Sequence, residues 1–125
     1  METKTTILDR SFDFAKQIIA AYCAAKQQHE YVLSKQLLRS GTSIGANVEE
    51  AEGAISKREF AAKMSIVLKE ARETRYWLRL IEHTKIIHIE TQQLLQEIRE
   101  IINILTAIVR TTLSNLARDT NYRRG

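Results

Sequence analysis

The chain has 125 residues, of which 44% are apolar and 27% are charged, so it fits one globular domain with a single core. Proline is absent and only four glycines occur, whereas helix-favouring residues are abundant, which predicts an all-α fold. The polar N-terminus lacks the apolar run of a signal peptide, and no apolar run approaches the roughly 20 residues that cross a bilayer. The lone Cys23 cannot form an internal disulfide, so nothing suggests secretion. Together these features predict a cytoplasmic protein that does not enter a membrane.

The net charge of +4 is concentrated in one part of the chain. Residues 56–89 carry eight basic and four acidic side chains, whereas residues 1–55 carry six and seven, and residues 90–125 carry five and four. This asymmetry favours an acidic partner for the middle segment, without requiring one.

The first predicted helix covers residues 6–27. Its apolar residues recur at steps of three or four, which is typical of a helix with one buried stripe. We expect that stripe to contain Leu8, Phe12, Ala15, Ile19, Tyr22 and Cys23, widened by Phe14 and Ile18. Cys23 is interpreted as a small buried hydrophobic residue.

The second predicted helix, residues 30–54, contains three of the four glycines. Its expected buried stripe is Leu33, Leu37, Ser40, Ile44, Val48, Ala51 and Ile55. Each glycine inside a helix costs roughly 0.5–1 kcal/mol relative to alanine, so another helix is expected to approach closely here. Gly41 and Gly45 are four residues apart and face the same neighbour, which favours tight packing over a ligand site.

A polar flank of this second helix lies beside the buried stripe. It consists of Arg39, Ser43, Asn47 and Glu50. Because Asn47 is short, polar and close to the stripe, we expect its side chain to bond to a neighbouring helix or loop and to fix register.

The third predicted helix, residues 57–83, begins at a capping box formed by Ser56 and Glu59. A heptad pattern, with alternating steps of four and three, then runs through Phe60, Met64, Val67, Ala71, Thr74, Leu78 and Ile81. The fourth predicted helix, residues 91–117, is apolar over more of its circumference than a four-helix core requires. Either this helix is the most buried one, or its extra face meets a neighbouring subunit.

Four helices of similar length with short connections predict one domain over residues 1–125, folded as an antiparallel up-down-up-down bundle. The polar, basic tail, residues 118–125, is expected to fray.

The third helix is divided lengthwise by charge when its residues are placed at 100° intervals. We call one side the basic flank; it contains Arg58, Lys69, Arg72, Arg75 and Arg79, with Tyr76 among them. The other side is the acidic flank, which contains Glu59, Glu70, Glu73 and Trp77. Arginine suits bidentate contact with phosphate and tyrosine can stack on a base, so the basic flank is a candidate nucleic-acid surface. The alternatives are a solvated face, or a basic flank that pairs with the acidic flank of a sister subunit.

Patterns typical of enzymes are absent from the sequence. The three histidines, His29, His83 and His88, show neither the i,i+4 spacing nor the HExxH pattern of metal ligands. Glycine-rich phosphate loops are also absent, because Gly41 and Gly45 lie inside a predicted helix and no Lys-Ser/Thr follows them. We therefore expect a protein that is not an enzyme and that holds no cofactor and no metal.

Two segments resemble a known family. Residues 38–51, LRSGTSIGANVEEA, resemble the second-helix motif of the four-helix bundle proteins of the 23S rRNA intervening-sequence family, also called S23 ribosomal-like proteins. The third helix resembles that family's pattern of acidic residues preceding an aromatic one, at Phe60, Leu68, Glu70, Ala71, Glu73, Trp77 and Leu78. The first and fourth helices match only by pattern.

The resemblance implies a left-handed four-helix bundle that assembles into a ring-like homo-oligomer, with a pentamer favoured. Members are often encoded inside insertions in bacterial 23S rRNA genes, although many are encoded elsewhere, and their activity is largely undefined. The motif residues implied in packing or assembly are Arg39, Ser40, Gly41, Ser43, Gly45, Asn47, Glu50, Glu70, Glu73 and Trp77. A related branch comprises basic accessory subunits of reverse transcriptases, but this chain is less basic than that branch.

The leading hypothesis is a non-catalytic oligomeric bundle that binds RNA or DNA through the basic flank. The competing hypothesis is a structural protein–protein interaction module without a nucleic-acid ligand, or an accessory subunit of a reverse transcriptase. Residues alone do not identify a protein partner.

Overall fold

The structure is a computed structural model that describes the backbone of residues 6–124 and the side chains of residues 6–120. Four helices account for most of it: α1 (Ile7–Gln27), α2 (Leu33–Glu52), α3 (Lys57–Thr84) and α4 (Gln92–Arg124). No strand occurs in this part of the chain, which confirms the all-α class. Residues 1–5 and 125 of the predicted domain lie outside the described residues.

Side-chain oxygens accept backbone N–H groups at the starts of α1, α2 and α3. Thr6 Oγ1 accepts the backbone N–H of Asp9 at 3.1 Å, and Ser56 Oγ accepts that of Glu59 at 3.0 Å. In return, Glu59 Oε1 accepts the N–H of Ile55 at 3.0 Å, one residue before the position that the capping box predicts. The start of α2 instead depends on Glu30, whose carboxylate accepts three backbone N–H groups.

Consecutive helices pack against each other, and α4 also contacts α1. Between α2 and α3, residue numbers rise along one helix as they fall along the other: Arg39 contacts Glu73, Ser43 contacts Glu70, and Glu50 contacts Lys63. The same holds for α3 and α4, where Lys57 pairs with Asp119 at 3.2 Å and Glu82 accepts a hydrogen bond from Thr91.

The core lies between the buried faces of the four helices. The heptad positions of α3 from Met64 to Ile81 are all buried, and Phe60 is half-buried. In α2 the predicted stripe is buried from Leu37 to Ala51. Its predicted last member, Ile55, is 94% exposed, because α2 ends at Glu52 and Ile55 belongs to the connection to α3.

The two glycines of α2 admit α1 at short range. A Cβ atom added at Gly41 would lie 2.9 Å from Ile18 Cγ1, and one added at Gly45 would lie 3.4 Å from the backbone oxygen of Ser11. This contact also determines which face of α1 is buried, because Ile18 and Ser11 are fully enclosed.

The predicted stripe of α1 is confirmed at Phe14 and Ile18, which are fully buried, and is wrong at Phe12, Ile19 and Cys23. The buried residues are Ser11, Phe14, Ile18, Ala21 and Ala25. In contrast, Phe12 and Ile19 are 64% and 47% exposed, and Cys23 is an exposed free thiol rather than a buried one. Both sides of this helix carry apolar residues, and the groove at Gly41 selects the side that includes Ile18.

The C-terminal part of α4 also differs from its prediction. The helix continues to Arg124, beyond its predicted end at residue 117. Neither proline nor glycine occurs between Gln92 and Arg124 to stop the helix, and Lys57 of α3 binds Asp119 within the predicted tail. Leu105 is the last fully buried residue, so the described part of α4 beyond it is only partly covered.

None of the helices in the described part of the chain is long and apolar enough to cross a membrane.

Candidate nucleic-acid interface

The basic flank of α3 is a continuous exposed surface over three turns. Lys69, Arg72, Arg75, Tyr76 and Arg79 are all exposed, and Tyr76 is 52% exposed. At a rise of 1.5 Å per residue, the span from Lys69 to Arg79 is about 15 Å. The structure thus gathers four of the five predicted cations and the tyrosine on one face.

Arg58 lies apart from that group. It is exposed at the second residue of α3, about 16 Å along the helix axis from Lys69. Conversely, His83 is exposed one turn beyond Arg79 on the same side of α3. The sequence could have placed His83 on this side, because residues four apart lie on the same side of a helix. A count of formal charge leaves histidine out.

The cations of the basic flank do not pair within the described part of the protein. Ion pairs there join other residues, and none includes Arg58, Lys69, Arg72, Arg75 or Arg79. A row of exposed guanidinium groups without carboxylate partners produces a positive potential that attracts an anionic ligand.

The acidic flank of α3, in contrast, is contacted by α2 at Glu70 and Glu73, two of its three carboxylates. Arg39 binds Glu70 through Nη1 at 3.3 Å and also pairs with Glu73. Ser43 Oγ donates to Glu70 Oε1 at 3.0 Å, and Trp77 Nε1–H donates to Glu73 Oε2 at 3.0 Å. Both carboxylates are therefore bound within the chain.

Deeper in the same contact, two hydroxyl groups join the helices. Thr74 Oγ1 lies 2.9 Å from Ser40 Oγ, and both side chains are fully buried. The expectation for Asn47 is wrong: its Nδ2 donates to the backbone oxygen of Ser43, one turn earlier in α2, at 2.9 Å. Register between the helices is instead fixed by Arg39, Ser40 and Ser43.

Tyr76 rests against the indole of Trp77. The ring centroids are 5.2 Å apart and the ring planes are inclined by 67°, an edge-to-face arrangement. Because Trp77 is in turn bonded to Glu73, a chain of contacts runs from Arg39 of α2 to the tyrosine on the basic flank.

Titratable groups with displaced pKa values hold helices together. Hydrogen bonds to Glu97 and then Glu100 raise the pKa of Arg10, which joins α1 to α4, and the same guanidinium lowers the pKa of Glu100. The hydroxyl of Thr91 lowers the pKa of Glu82 at the connection between α3 and α4. Each of these displacements is explained by a contact between elements of the fold.

Residues that suit metal binding are not gathered anywhere in the described part of the chain. No group of three or more His, Cys, Asp or Glu side chains there could hold a metal ion. The chemistry that the site does offer is positive charge and an exposed aromatic ring.

The chain is similar in sequence and structure to known proteins. The family model described as 23S rRNA-intervening sequence protein matches residues 3–107. A similar crystal structure is that of a protein of unknown function from the S23 ribosomal protein family of Bacteroides thetaiotaomicron VPI-5482. It shares 44% sequence identity with a TM-score of 0.78, covering 83% of this chain and 98% of that chain. A search of curated proteins gives no match. The resemblance seen in the sequence is confirmed, and the chain belongs to the family of 23S rRNA-intervening sequence proteins.

Proposed function

We propose that this protein is a non-catalytic, oligomeric four-helix bundle that binds RNA or DNA through the basic flank of α3. The observation that carries the proposal is the contrast between the two flanks. The described cations of the basic flank have no ion-pair partner within the described chain, whereas Glu70 and Glu73 of the acidic flank are already bound by Arg39. Phosphate groups supply the missing anions.

The same contrast weakens pairing of the two flanks between sister subunits. For that arrangement, Glu70 and Glu73 would have to exchange Arg39, Ser43 and Trp77 for the arginines of another copy. Such an exchange replaces existing contacts and gains little, since exposed ion pairs contribute about 0–1 kcal/mol each. An external polyanion meets no such competition.

A filter-binding titration with a hairpin RNA that has an unpaired loop tests the proposal at low salt. We expect the wild type to bind and the double charge reversal Arg72→Glu/Arg79→Glu to bind at least tenfold more weakly, because two phosphate contacts become repulsive.

The matched control is Lys35→Glu/Arg118→Glu, which changes the net charge by the same amount. Lys35 is exposed on α2 and Arg118 is exposed near the end of α4, so neither lies on α3 or beside Phe12 and Ile19. This control should bind nearly as well as the wild type. The proposal fails if the wild type does not bind, or if both double variants lose affinity equally.

Oligomerisation is supported by apolar residues that one subunit leaves uncovered. Phe12 and Ile19 lie two turns apart on the exposed face of α1, and Leu113 of α4 is 50% exposed beyond the last fully buried residue. Burying such side chains stabilises an interface by roughly 25 cal/mol per Å². A homo-oligomer covers them, and the family resemblance favours a pentamer.

The variant Phe12→Glu/Ile19→Glu tests this part of the proposal. Light scattering should report a multimer for the wild type and a smaller mass for the variant, with helical content unchanged by circular dichroism. A monomeric wild type, or an unchanged mass in the variant, would contradict the assignment of this face.

We also infer that the helices follow an up-down-up-down order with a left-handed twist and that the protein works in the cytoplasm. The order is supported by the contacts of Lys57 with Asp119 and of Glu82 with Thr91 at opposite ends of α3. The location is supported by Cys23, an exposed free thiol of the kind that persists in a reducing compartment.

A further inference from the structure

Tyr76 occupies the centre of the basic flank. Arg72 lies one turn before it and Arg79 nearly one turn after it, and the tyrosine is 52% exposed. An exposed aromatic ring between two guanidinium groups places a flat stacking surface and positive charge side by side.

The ring has a defined position even though half of it is exposed. Trp77 contacts it edge-to-face at a centroid distance of 5.2 Å, and Trp77 is itself fixed by its hydrogen bond to Glu73 at 3.0 Å. Arg39 of α2 holds Glu73 from the other side. These contacts lower the entropy that Tyr76 would lose when a ligand stacks on it.

An unpaired base matches this surface better than a base pair does. Its flat face stacks on an aromatic ring, while the adjacent phosphates reach the neighbouring guanidinium groups. In a duplex the faces of the bases are covered by their neighbours, so the ring has no base face to contact.

We propose that Tyr76 is a stacking platform for an unpaired base, so that the basic flank binds single-stranded nucleic acid in preference to a duplex. This inference rests on the proposed function and names its ligand class more closely. Glu73 and Arg39 are positioning residues in this arrangement, since they act on Tyr76 through Trp77.

Fluorescence anisotropy at low salt tests the inference with labelled single-stranded RNA, single-stranded DNA and a duplex of the same sequence. The wild type should bind the single strands more tightly than the duplex. The variant Tyr76→Leu should lose about 5- to 140-fold in single-strand affinity, whereas Tyr76→Phe, which keeps the ring, should retain most of it. Duplex affinity should be the same in all three proteins.

Two further readouts separate stacking from a general loss of structure. Tyr31 is 50% exposed before α2, so Tyr31→Leu is a matched control and should bind as the wild type does. Trp77 is the only tryptophan of the chain and its ring contacts that of Tyr76. The fluorescence emission of Trp77 should therefore change when a base stacks on Tyr76. That change should disappear in Tyr76→Leu.

The outcomes distinguish this inference from the proposed function. If single strand and duplex bind equally and Tyr76→Leu changes neither affinity, while Arg72→Glu/Arg79→Glu still weakens binding at least tenfold, the stacking platform is overturned and the proposed function stands. If no nucleic acid binds the wild type, the proposed function fails and this inference fails with it.

Discussion

Glu30 caps the N-terminus of α2, although it lies two residues before the N-cap position. Val32 occupies that position and offers no side-chain hydrogen bond. The Glu30 carboxylate instead accepts the N–H groups of Val32, Leu33 and Ser34 at 3.0, 2.8 and 2.8 Å. Burial by itself would raise the pKa of Glu30, but the bonds from Leu33, Ser34 and Val32 outweigh it and lower the pKa below its ordinary value of 4.5.

We expect Glu30→Ala to lower the free energy of unfolding at neutral pH by about 1–2 kcal/mol, the usual cost of losing a helix cap. Because the pKa of Glu30 is lowered on folding, its charge stabilises the protein above the unfolded-state pKa near 4.5, and this contribution is lost as the pH falls through the folded-state pKa. Denaturant titrations of both proteins at about pH 7 and about pH 3 measure the effect. A difference that does not shrink at the lower pH would contradict this account.

Local sequence signals predict single residues well only where their partners are also local. Ser56 and Glu59 are three residues apart, so their contact at the start of α3 could be predicted. Glu30 could not be identified in this way, because the residue at the capping position, Val32, carries no capping signal. The side chain of Asn47 instead bonds to the backbone oxygen of Ser43 in its own helix. Such local bonds compete with bonds to another helix.

The packing of α1 on α2 shows what a single helix cannot determine about itself. Two apolar rows on α1 have helical spacing, and hydrophobic periodicity alone does not choose between them. The choice comes from α2, where the absence of a side chain at Gly41 leaves room for Ile18. The row that includes Phe12 and Ile19 is consequently left exposed.

The two glycines of α2 should respond differently to alanine. At Gly41 the new Cβ would lie 2.9 Å from Cγ1 of the enclosed, β-branched Ile18, so overpacking should exceed the gain in helix propensity and destabilise the protein by about 1 kcal/mol. At Gly45 the nearest atom is 3.4 Å away, so Gly45→Ala should be neutral or stabilising by up to about 1 kcal/mol. Urea titrations compare the two variants, and equal effects would argue against the close approach of α1.

The basic flank lies on α3 alone, whereas the contacts of the acidic flank join α3 to α2. The basic flank could be predicted because helical geometry alone places Lys69, Arg72 and Arg79 on one side. The partners of the acidic flank could not, because the contact of Arg39 with Glu73 depends on how α2 and α3 face each other. That pairing is what distinguishes the two flanks, since it leaves positive charge on only one of them.

We propose that Arg72 and Arg79 contact phosphates, and the salt dependence of binding tests these contacts. The affinity for one single-stranded RNA is measured at several salt concentrations for the wild type and for Arg72→Ala/Arg79→Ala. Each phosphate contact contributes about 0.7 to the slope of log K against log salt for a single strand. We predict a slope about 1.4 shallower in the double variant, and parallel lines would contradict the assignment of these arginines to phosphate binding.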